Sequence, residues 1–384
     1  MIFKIIAHPY YQRLRRIKQM ALAYLVYPGA VHTRLHHSLG AYHLMHLALQ
    51  ELKQKGIDMS PEEEQASKVA ILLHDIGHGP FSHALEHTLV DVHHEHLSLR
   101  IMQKLNDEFE GKLDMALSIF QDQYPKKFLH QLVSSQLDVD RLDYLARDSF
   151  FTGVSEGVIG YDRIIKMLTV SGNELAVEEK GIYSIEKFLI ARRLMYWQVY
   201  LHKTVLSSEL MLVNILKRAK ALAQSGETLF ATPALSWFLQ RDIPSDQFDL
   251  DPNNLDQFLL LDDNDVVASV KVWASHPDPI LSDLCRRLNE RRLFKVHYTA
   301  VEENIDLDAI KKKLCTHFNL AEADLPYYFT QDSASNMAYS AGDEKIKIAY
   351  KNGRIREISE IEDTLISAGL LVPVKKHYIC YPAI

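Results

Sequence analysis

The sequence lacks the features of a secreted or membrane-bound protein. Its three cysteines, Cys285, Cys315 and Cys380, are odd in number and far apart, so they predict neither a disulfide framework nor a cysteine-based zinc site. No apolar run approaches the length of a membrane span. His8 and Pro9 interrupt the apolar start of the chain, too early for the core of a signal peptide. We therefore expect a cytoplasmic protein with no membrane partner.

Basic residues are fewer than acidic ones. The 384 residues include 43 lysines and arginines against 50 aspartates and glutamates, which gives a net charge of −7. This balance argues against a nucleic-acid interface spread over the whole surface. It leaves room for a local basic pocket that binds a small polyanion. The hydrophobic fraction of 47% is ordinary for a globular protein, and the length allows about two or three domains.

Histidine, by contrast, is concentrated in one part of the chain. Of the 19 histidines, 12 lie between His32 and His96. An even distribution would place about a quarter of that number there. This concentration indicates a site that uses imidazole groups.

Apolar residues at helical spacing predict a mainly α-helical fold. One helix is expected over 10–24, one ending at Gly56, and one beginning at Ser60, where a serine, a proline and three glutamates form an N-terminal signature. Residues 225–265, rich in aspartate, proline and asparagine, are expected to form a loop-rich surface connection. Further helices are expected over 94–109, 130–150, 184–224 and 278–292.

From residue 295 onward the pattern changes to alternating aromatic and β-branched residues, with the turn signal YKNGR at 350–354. This pattern predicts a small α+β subdomain attached to a helical body. We place the boundaries at 1–205 for the main helical domain, 206–294 for a helical extension and 295–384 for the C-terminal region.

Residues 71–83, ILLHDIGHGPFSH, place a charged pair in an apolar, helix-like stretch. His74 and His78 are four residues apart and share one helix face, and Asp75 lies about 100° round the helix from His74. A charge in an apolar environment is costly unless it is paired or bound to metal. Imidazole and carboxylate together fit Fe, Mn, Co, Zn or Mg, and no thiolate narrows the choice.

Further candidate ligands lie on both sides of this stretch. HTRLHHSLG upstream contributes three histidines, and SSQLDVDRLDYLARDS downstream contributes four aspartates. Arg141, Tyr144 and Asp148 share one helical stripe in the second segment, and such a set could hold a phosphate and a sugar hydroxyl. The same composition also fits a solvated helix face.

The order His37, His74–Asp75 and Asp140 resembles the H…HD…D signature of the HD-domain metal-dependent phosphohydrolases. TRLHHSLG, HDIGHGPFSH and LDVDRLDYLARDS most resemble the deoxynucleoside triphosphate (dNTP) triphosphohydrolases, which include the mammalian SAM-and-HD-domain dNTPase and its bacterial relatives. The similarity begins at YQRLRRIKQ and runs to RLMYWQVYLHK. It implies that 1–205 is an HD-type catalytic domain, built as a helical bundle.

The resemblance also implies a role for each matching residue. His37, His74, Asp75 and Asp140 would hold the metal. His83 would be the general acid, supported by Glu86 where the family usually has aspartate, and His78 and His94 would line the triphosphate path. The implied contacts to sugar or phosphate are Gln19, Arg34, Arg141 (a lysine in the mammalian enzyme), Tyr144, Asp148, Arg192 and Tyr200.

These roles imply metal-dependent hydrolysis of dNTPs to deoxynucleoside and inorganic triphosphate. The implied cofactor is a divalent Fe, Mn, Co, Zn or Mg ion, with room for a second Mg²⁺ that accompanies the nucleotide, and the implied assembly is a homodimer or homotetramer. Two alternatives stay open. One is an HD phosphohydrolase acting on a nucleoside monophosphate, guanosine tetraphosphate or a cyclic dinucleotide. The other is a nucleotide-sensing or nucleic-acid-binding protein with a residual metal site.

Overall fold

Helices make up most of the structure, a computed structural model that describes residues 1–86, 88–299, 306–337, 339, 344–361 and 373–383, with only the backbone of residue 83. The α-helices in these residues are α1 (Ile2–Ala7), α2 (Pro9–Gln12), α3 (Arg34–Gln54), α4 (Pro61–Leu73), α5 (His83–Glu86), α6 (His94–Glu108), α7 (Asp114–Phe120), α8 (Lys127–Val133), α9 (Val139–Thr152), α10 (Tyr161–Met167), α11 (Ile182–Met195), α12 (Lys203–Gln224), α13 (Pro233–Leu239), α14 (Pro252–Leu260), α15 (Asp263–Trp273), α16 (Pro279–Asn289) and α17 (Leu307–Phe318). The described part of the chain contains no helix that is both long and apolar enough to span a membrane.

Shorter elements complete the described fold. The strands are β1 (Leu168–Ser171), β2 (Glu174–Glu178), β3 (Lys295–Thr299), β4 (Thr330–Asn336), β5 (Lys347–Ala349), β6 (Ile355–Glu357) and β7 (Val374–Tyr381). The 3-10 segments are Arg13–Arg16, Ala23–Leu25, Ser155–Gly157, Glu179–Gly181, Ser245–Leu250, Glu322–Tyr327 and Ile358–Glu360. A π-helical turn covers Tyr196–Tyr200. The predicted mainly helical fold with C-terminal strands is confirmed.

The core of the helical body is α3, which packs against α4 and α9. Gly56, at a φ of +83°, follows α3 and turns the chain back. At the start of α4, Ser60 Oγ accepts a hydrogen bond from the Glu63 backbone at 3.2 Å, and Glu63 Oε2 accepts one from the Ser60 backbone at 2.8 Å. The predicted start of this helix is therefore confirmed, with a reciprocal cap.

Three of the predicted helices are interrupted. The continuous helix over 10–24 is wrong, because Ile17 is extended and Lys18 pairs with Thr33 in a β-bridge. The helix over 130–150 is divided at Asp138, whose side chain caps α9 by accepting from the Arg141 backbone at 2.7 Å. The helix over 184–224 is divided by the π-helical turn.

The loop-rich connection predicted for 225–265 is also wrong, because this region forms α13, α14 and the start of α15. The polar residues and prolines that suggested loops are helix caps. The side chains of Thr232, Asp251 and Asp262 accept hydrogen bonds from the first turn of these three helices. Pro233 and Pro252 occupy first helical positions, where the missing N–H costs nothing.

Two small sheets organise the strands. β1 and β2 form an antiparallel hairpin, and β5 pairs in parallel with β2, giving a sheet in the order β1-β2-β5-β6. The turn signal YKNGR connects β5 to β6, with Gly353 at a φ of +81°. The second sheet has the antiparallel order β3-β7-β4. In the first sheet, β1 and β2 precede residue 205, whereas β5 and β6 follow residue 294. The domain boundaries at 205 and 294 stay predictions.

Candidate metal centre

Three of the predicted metal ligands come together from three helices. His37 lies in the first turn of α3, His74 directly follows α4, and Asp140 lies in the first turn of α9. Nε2 of His37 is 3.4 Å from Nε2 of His74. Asp140 Oδ1 is 2.9 Å from the first of these nitrogens and 3.3 Å from the second. These atoms form a cluster that could hold one metal ion.

The spacing and the outer contacts of this cluster fit a divalent ion. Atoms that share one ion at about 2.0–2.2 Å lie roughly 3–3.5 Å apart, as these do. Nδ1 of His37 donates to Asp143 Oδ2 at 2.8 Å, and Nδ1 of His74 donates to the Ile71 carbonyl at 2.6 Å. With hydrogen on Nδ1 of both rings, Nε2 of each ring faces the cluster, which is the arrangement typical of metal-binding histidines. A metal ion would take the place of any proton on these Nε2 atoms.

Asp75 lies beside this cluster, with its carboxylate held by other groups. Oδ2 accepts a hydrogen bond from Arg34 Nη1 at 2.6 Å and is 3.7 Å from Nε2 of His37. Oδ1 is 3.4 Å from Nε2 of His74 and also 3.4 Å from Nε2 of His78. The structure therefore places Asp75 at the edge of the site, and its role as a metal ligand stays a prediction.

The electrostatics of the site favour a cation. Burial acts to lower the pKa of His37, but the hydrogen bonds to Asp140 and Asp143 outweigh it and hold that pKa well above its usual value. Burial acts to raise the pKa of Asp140 and of Asp75, but neighbouring histidines keep both pKa values well below the usual range. Both carboxylates are therefore ionised at neutral pH. The negative charge that attracts a proton to His37 would equally attract a divalent ion.

A second group of side chains, His78, Glu86 and His94, lies next to Asp75. The rings of His78 and His94 stack with centroids 3.9 Å apart, and His94 Nδ1 donates to Glu86 Oε1 at 2.9 Å. Burial, followed by the charge of Arg34, lowers the pKa of His78 to about 3, so that this ring is neutral at pH 7. The predicted general acid, His83, begins α5, but its side chain lies outside the described residues.

Two tyrosines and an aspartate, Tyr144, Tyr200 and Asp148, form a group of side chains on another side of His37. The ring centroid of Tyr144 is 6.5 Å from that of His37 and 6.3 Å from that of Tyr200. The hydroxyl of Tyr200 donates to Asp148 Oδ2 at 2.8 Å. Predicted contacts to sugar or phosphate therefore adjoin one of the candidate metal ligands.

The remaining predicted substrate contacts are Arg141, Arg192 and Gln19. Nε of Arg141 donates to the Ser135 carbonyl at 2.6 Å, which anchors this arginine at the start of α9. Burial raises the pKa of Tyr144, and the charges of Arg141 and Arg192 offset this only in part, which places both arginines near that phenol. Oε1 of Gln19 is buried and has no hydrogen-bond partner among the described residues. The substrate roles of these residues stay predictions.

Two residues outside the predicted ligand set, Asp143 and Arg147, support the cluster on the far side of His37; Asp143 is one of the four candidate aspartates. Nε and Nη2 of Arg147 donate to Asp143 at 2.8 and 2.7 Å, and Asp143 accepts from His37. The pair fits against α3 because residue 40 is glycine: a Cβ there would lie 1.9 Å from Asp143 Oδ1. The four-residue spacing of Asp143 and Arg147 is a signal visible in the sequence, but it does not identify His37 as the third member.

We predict that Asp143→Asn weakens metal binding about 10- to 100-fold, the usual effect of losing a partner behind a metal ligand. The amide would no longer provide the charge that fixes the hydrogen on Nδ1 of His37. Titration of the metal-stripped protein with Mn²⁺ by calorimetry measures the change. Asp122→Asn, on an exposed turn, is the control. Equal affinities for the two variants would contradict the assigned role of Asp143.

Comparison with known proteins identifies the fold around this cluster. The family model of the HD domain matches residues 34–148, and that of the HD associated region matches residues 159–230. A crystal structure of a phosphohydrolase from Bacteroides thetaiotaomicron has 50% sequence identity and a TM-score of 0.95, covering 100% of this chain and 96% of that one. The chain belongs to the HD-domain phosphohydrolases. The cluster lies inside the matched HD domain.

Other relatives of this HD-domain protein differ in how much they share with it. The uncharacterized protein YwfO of Bacillus subtilis is 32% identical over 373 residues, which cover 94% of this chain and 83% of that protein. The deoxynucleoside triphosphate triphosphohydrolase SAMHD1 homolog of Dictyostelium discoideum is 29% identical over 239 residues, covering 57% of this chain and 46% of that protein. The match therefore spans less than half of the latter. The predicted family, the HD-domain phosphohydrolases, is confirmed, together with a likeness to a triphosphohydrolase.

Proposed function

We propose that this HD-domain protein hydrolyses dNTPs to a deoxynucleoside and inorganic triphosphate. The observation that carries the proposal is the arrangement around the cluster. Asp75 contacts Arg34 and His78, groups suited to phosphate oxygens. His37 adjoins Tyr144 and, beyond it, the hydroxyl of Tyr200 and the carboxylate of Asp148, groups suited to a sugar. Relatives in Dictyostelium discoideum and Gallus gallus, both named as deoxynucleoside triphosphate triphosphohydrolases, support this choice of substrate.

The proposed metal ligands are His37, His74 and Asp140, with Asp75 beside them. This donor set fits Fe, Mn, Co, Zn or Mg without selecting among them. A bound ion would supply Lewis-acid polarisation of a phosphoryl oxygen. A second Mg²⁺, accompanying the nucleotide, is part of the same proposal.

Arg34 is held in place for the phosphate chain by two contacts. Nη1 donates to Asp75, and Nη2 donates to Ser82 Oγ at 2.5 Å. Because both contacts fix the guanidinium before any substrate arrives, the cation would stabilise charge that develops on a phosphate oxygen without first having to reorient.

Proton delivery to the leaving 5′-oxygen is assigned to His83 on the family resemblance. Glu86 accepts from Nδ1 of His94, which places the hydrogen of a neutral His94 on Nδ1 and leaves its Nε2 as an acceptor. His78, neutral at pH 7, stacks on this ring and supplies a second imidazole for the triphosphate path. We propose that these four residues handle the proton and the phosphate chain, with Glu86 in the supporting position.

We predict that the protein, incubated with Mn²⁺ or Mg²⁺ and each of the four dNTPs, releases tripolyphosphate and deoxynucleoside in equal amounts. Ion-exchange separation of the products measures this, and EDTA-treated protein is the control. Pyrophosphate or orthophosphate as the initial product would refute the proposal. Turnover confined to a nucleoside monophosphate, guanosine tetraphosphate or a cyclic dinucleotide would indicate a different HD activity, and tight nucleotide binding without turnover would indicate a sensor.

We also propose that the protein is a cytoplasmic homo-oligomer, either a dimer or a tetramer. The support for the oligomeric state is the family resemblance alone, whereas the location rests on the sequence features given above. Light scattering coupled to size-exclusion chromatography gives the stoichiometry directly, and a monomer at micromolar concentration would contradict the proposal.

A further inference from the structure

A buried histidine, His32, contacts the carboxylate of Asp148. Nε2 of His32 lies 2.7 Å from Asp148 Oδ1, and the two residues are only 1% and 2% exposed. The other oxygen, Oδ2, accepts from the hydroxyl of Tyr200. Burial, followed by the charge of Asp148, holds the pKa of Tyr200 well above its usual value, so that this phenol keeps its proton. Both neighbours therefore donate to the carboxylate.

His32 is itself fixed by its surroundings. Its ring stacks on that of Phe151, with centroids 4.4 Å apart and an interplanar angle of 14°. Its backbone carbonyl accepts from the Gln19 backbone at 3.0 Å. His32 therefore contacts both Asp148, through its ring, and the backbone of Gln19. The buried Oε1 of Gln19 has no hydrogen-bond partner among the described residues. Asp148 and Gln19 both offer acceptor oxygens, which suit a donor such as the sugar hydroxyl that the family resemblance implies.

The carboxylate of Asp148 has acceptor capacity to spare. An ionised carboxylate offers about four lone-pair sites, and His32 and Tyr200 occupy one each. Without the donor on His32, the buried carboxylate of Asp148 would keep only the hydrogen bond from Tyr200 and could rotate. A shift of about 1 Å in a group that positions a substrate can cost about 10²-fold in rate.

We propose that His32 is a positioning residue, which fixes Asp148 so that its carboxylate accepts a hydrogen bond from a sugar hydroxyl of the nucleotide. This inference rests on the proposed function. In a deoxynucleotide that carries a 5′-phosphate chain, the free hydroxyl is the one at the 3′ position. His32 does not touch the substrate and acts through Asp148.

Three variants separate this role from simple packing. His32→Phe keeps a ring to stack on Phe151 but removes the donor. His32→Gln restores an N–H at about the reach of Nε2, whereas His32→Asn places one nearer to the position of Nδ1. His43→Phe, the same chemical change on the exposed surface of α3, is the matched control.

The readout compares a dNTP with its 2′,3′-dideoxy analogue, used as a competitive inhibitor. A hydrogen bond to a charged group contributes about 1.5–3 kcal/mol, so His32→Phe should raise the KM of the dNTP about 10- to 100-fold. The inhibition constant of the dideoxy analogue, which lacks the hydroxyl, should change less than about threefold. His32→Gln should recover most of the loss, and His43→Phe should match the wild type.

Equal losses for the deoxy and dideoxy compounds, or no loss for either, would overturn the proposal. If His32→Phe does not fold by circular dichroism, the comparison of His32→Gln with His32→Asn decides, because only the first should retain the discrimination. If the wild type hydrolyses no dNTP, the proposed function fails on that control alone. Equilibrium binding of the same deoxy and dideoxy pair then decides the role of His32.

Discussion

Replacing His74 with alanine should remove the bound metal and lower kcat/KM by more than about 10³-fold, since even the loss of a residue behind a ligand costs about 10- to 100-fold. His74 supplies one of the three atoms that converge in the cluster, and its ring is fixed by the Ile71 carbonyl. The truncation leaves His37 and Asp140 as a pair. Two ligands alone do not define a geometry that retains a divalent ion against water.

The measurement is the metal content of the purified protein by mass spectrometry, followed by nucleotide turnover at saturating metal. His43→Ala is the matched control, because it removes an exposed imidazole from α3. Asp75→Ala is expected to behave as His74→Ala does if Asp75 is the fourth ligand. Wild-type metal content in the His74 variant would refute the assigned centre.

Arg13→Met should lower the free energy of unfolding by about 3–5 kcal/mol, because three buried carbonyl groups would lose a charged hydrogen-bond donor. Arg13 is 1% exposed. Its guanidinium donates to the carbonyls of Leu261, Ile76 and His78 at 2.6, 3.3 and 2.9 Å. Methionine fills a similar volume but donates nothing, so three carbonyl groups would lose this donor. Each buried, unpaired polar group costs about 1–3 kcal/mol.

Urea unfolding followed by circular dichroism measures this change. Burial lowers the pKa of Arg13 to about 9, so the side chain is charged at neutral pH and the assay at pH 7 reports the intact network. Arg15→Met, which removes an exposed guanidinium two residues along, should change stability by less than about 0.5 kcal/mol. Equal stabilities for the two methionine variants would contradict the proposed role of Arg13.

The sequence was most informative where chemistry and spacing coincide. His37, His74 and Asp140 could be selected as a group because their residue types, their order and the residues around them resemble one family. The structure brings their side-chain atoms within 3.4 Å of one another. Asp143 could not be selected in the same way. Its contact with His37 depends on how closely α9 approaches α3, which Gly40 permits.

The helices over 225–265 were missed for a different reason. Threonine and aspartate are favoured both in loops and at helix N-caps, so the residue types of Thr232, Asp251 and Asp262 do not distinguish the two. The extended backbone at Ile17 likewise results from a partner distant in sequence, since Lys18 pairs with Thr33. Only over 10–24 do tertiary contacts override helical spacing.

The parallel pairing of β2 with β5 affects how the chain can fold during synthesis. Ala176 pairs with Lys347, and Glu178 pairs with Ala349, so the outer edge of β2 remains open until the ribosome has made residues 347–349. An unpaired edge strand can recruit the strand of another chain, and a pairing that closes so long a loop forms slowly. The nascent HD associated region, which contains β2, therefore exposes one sheet edge until a strand encoded about 170 residues downstream is made.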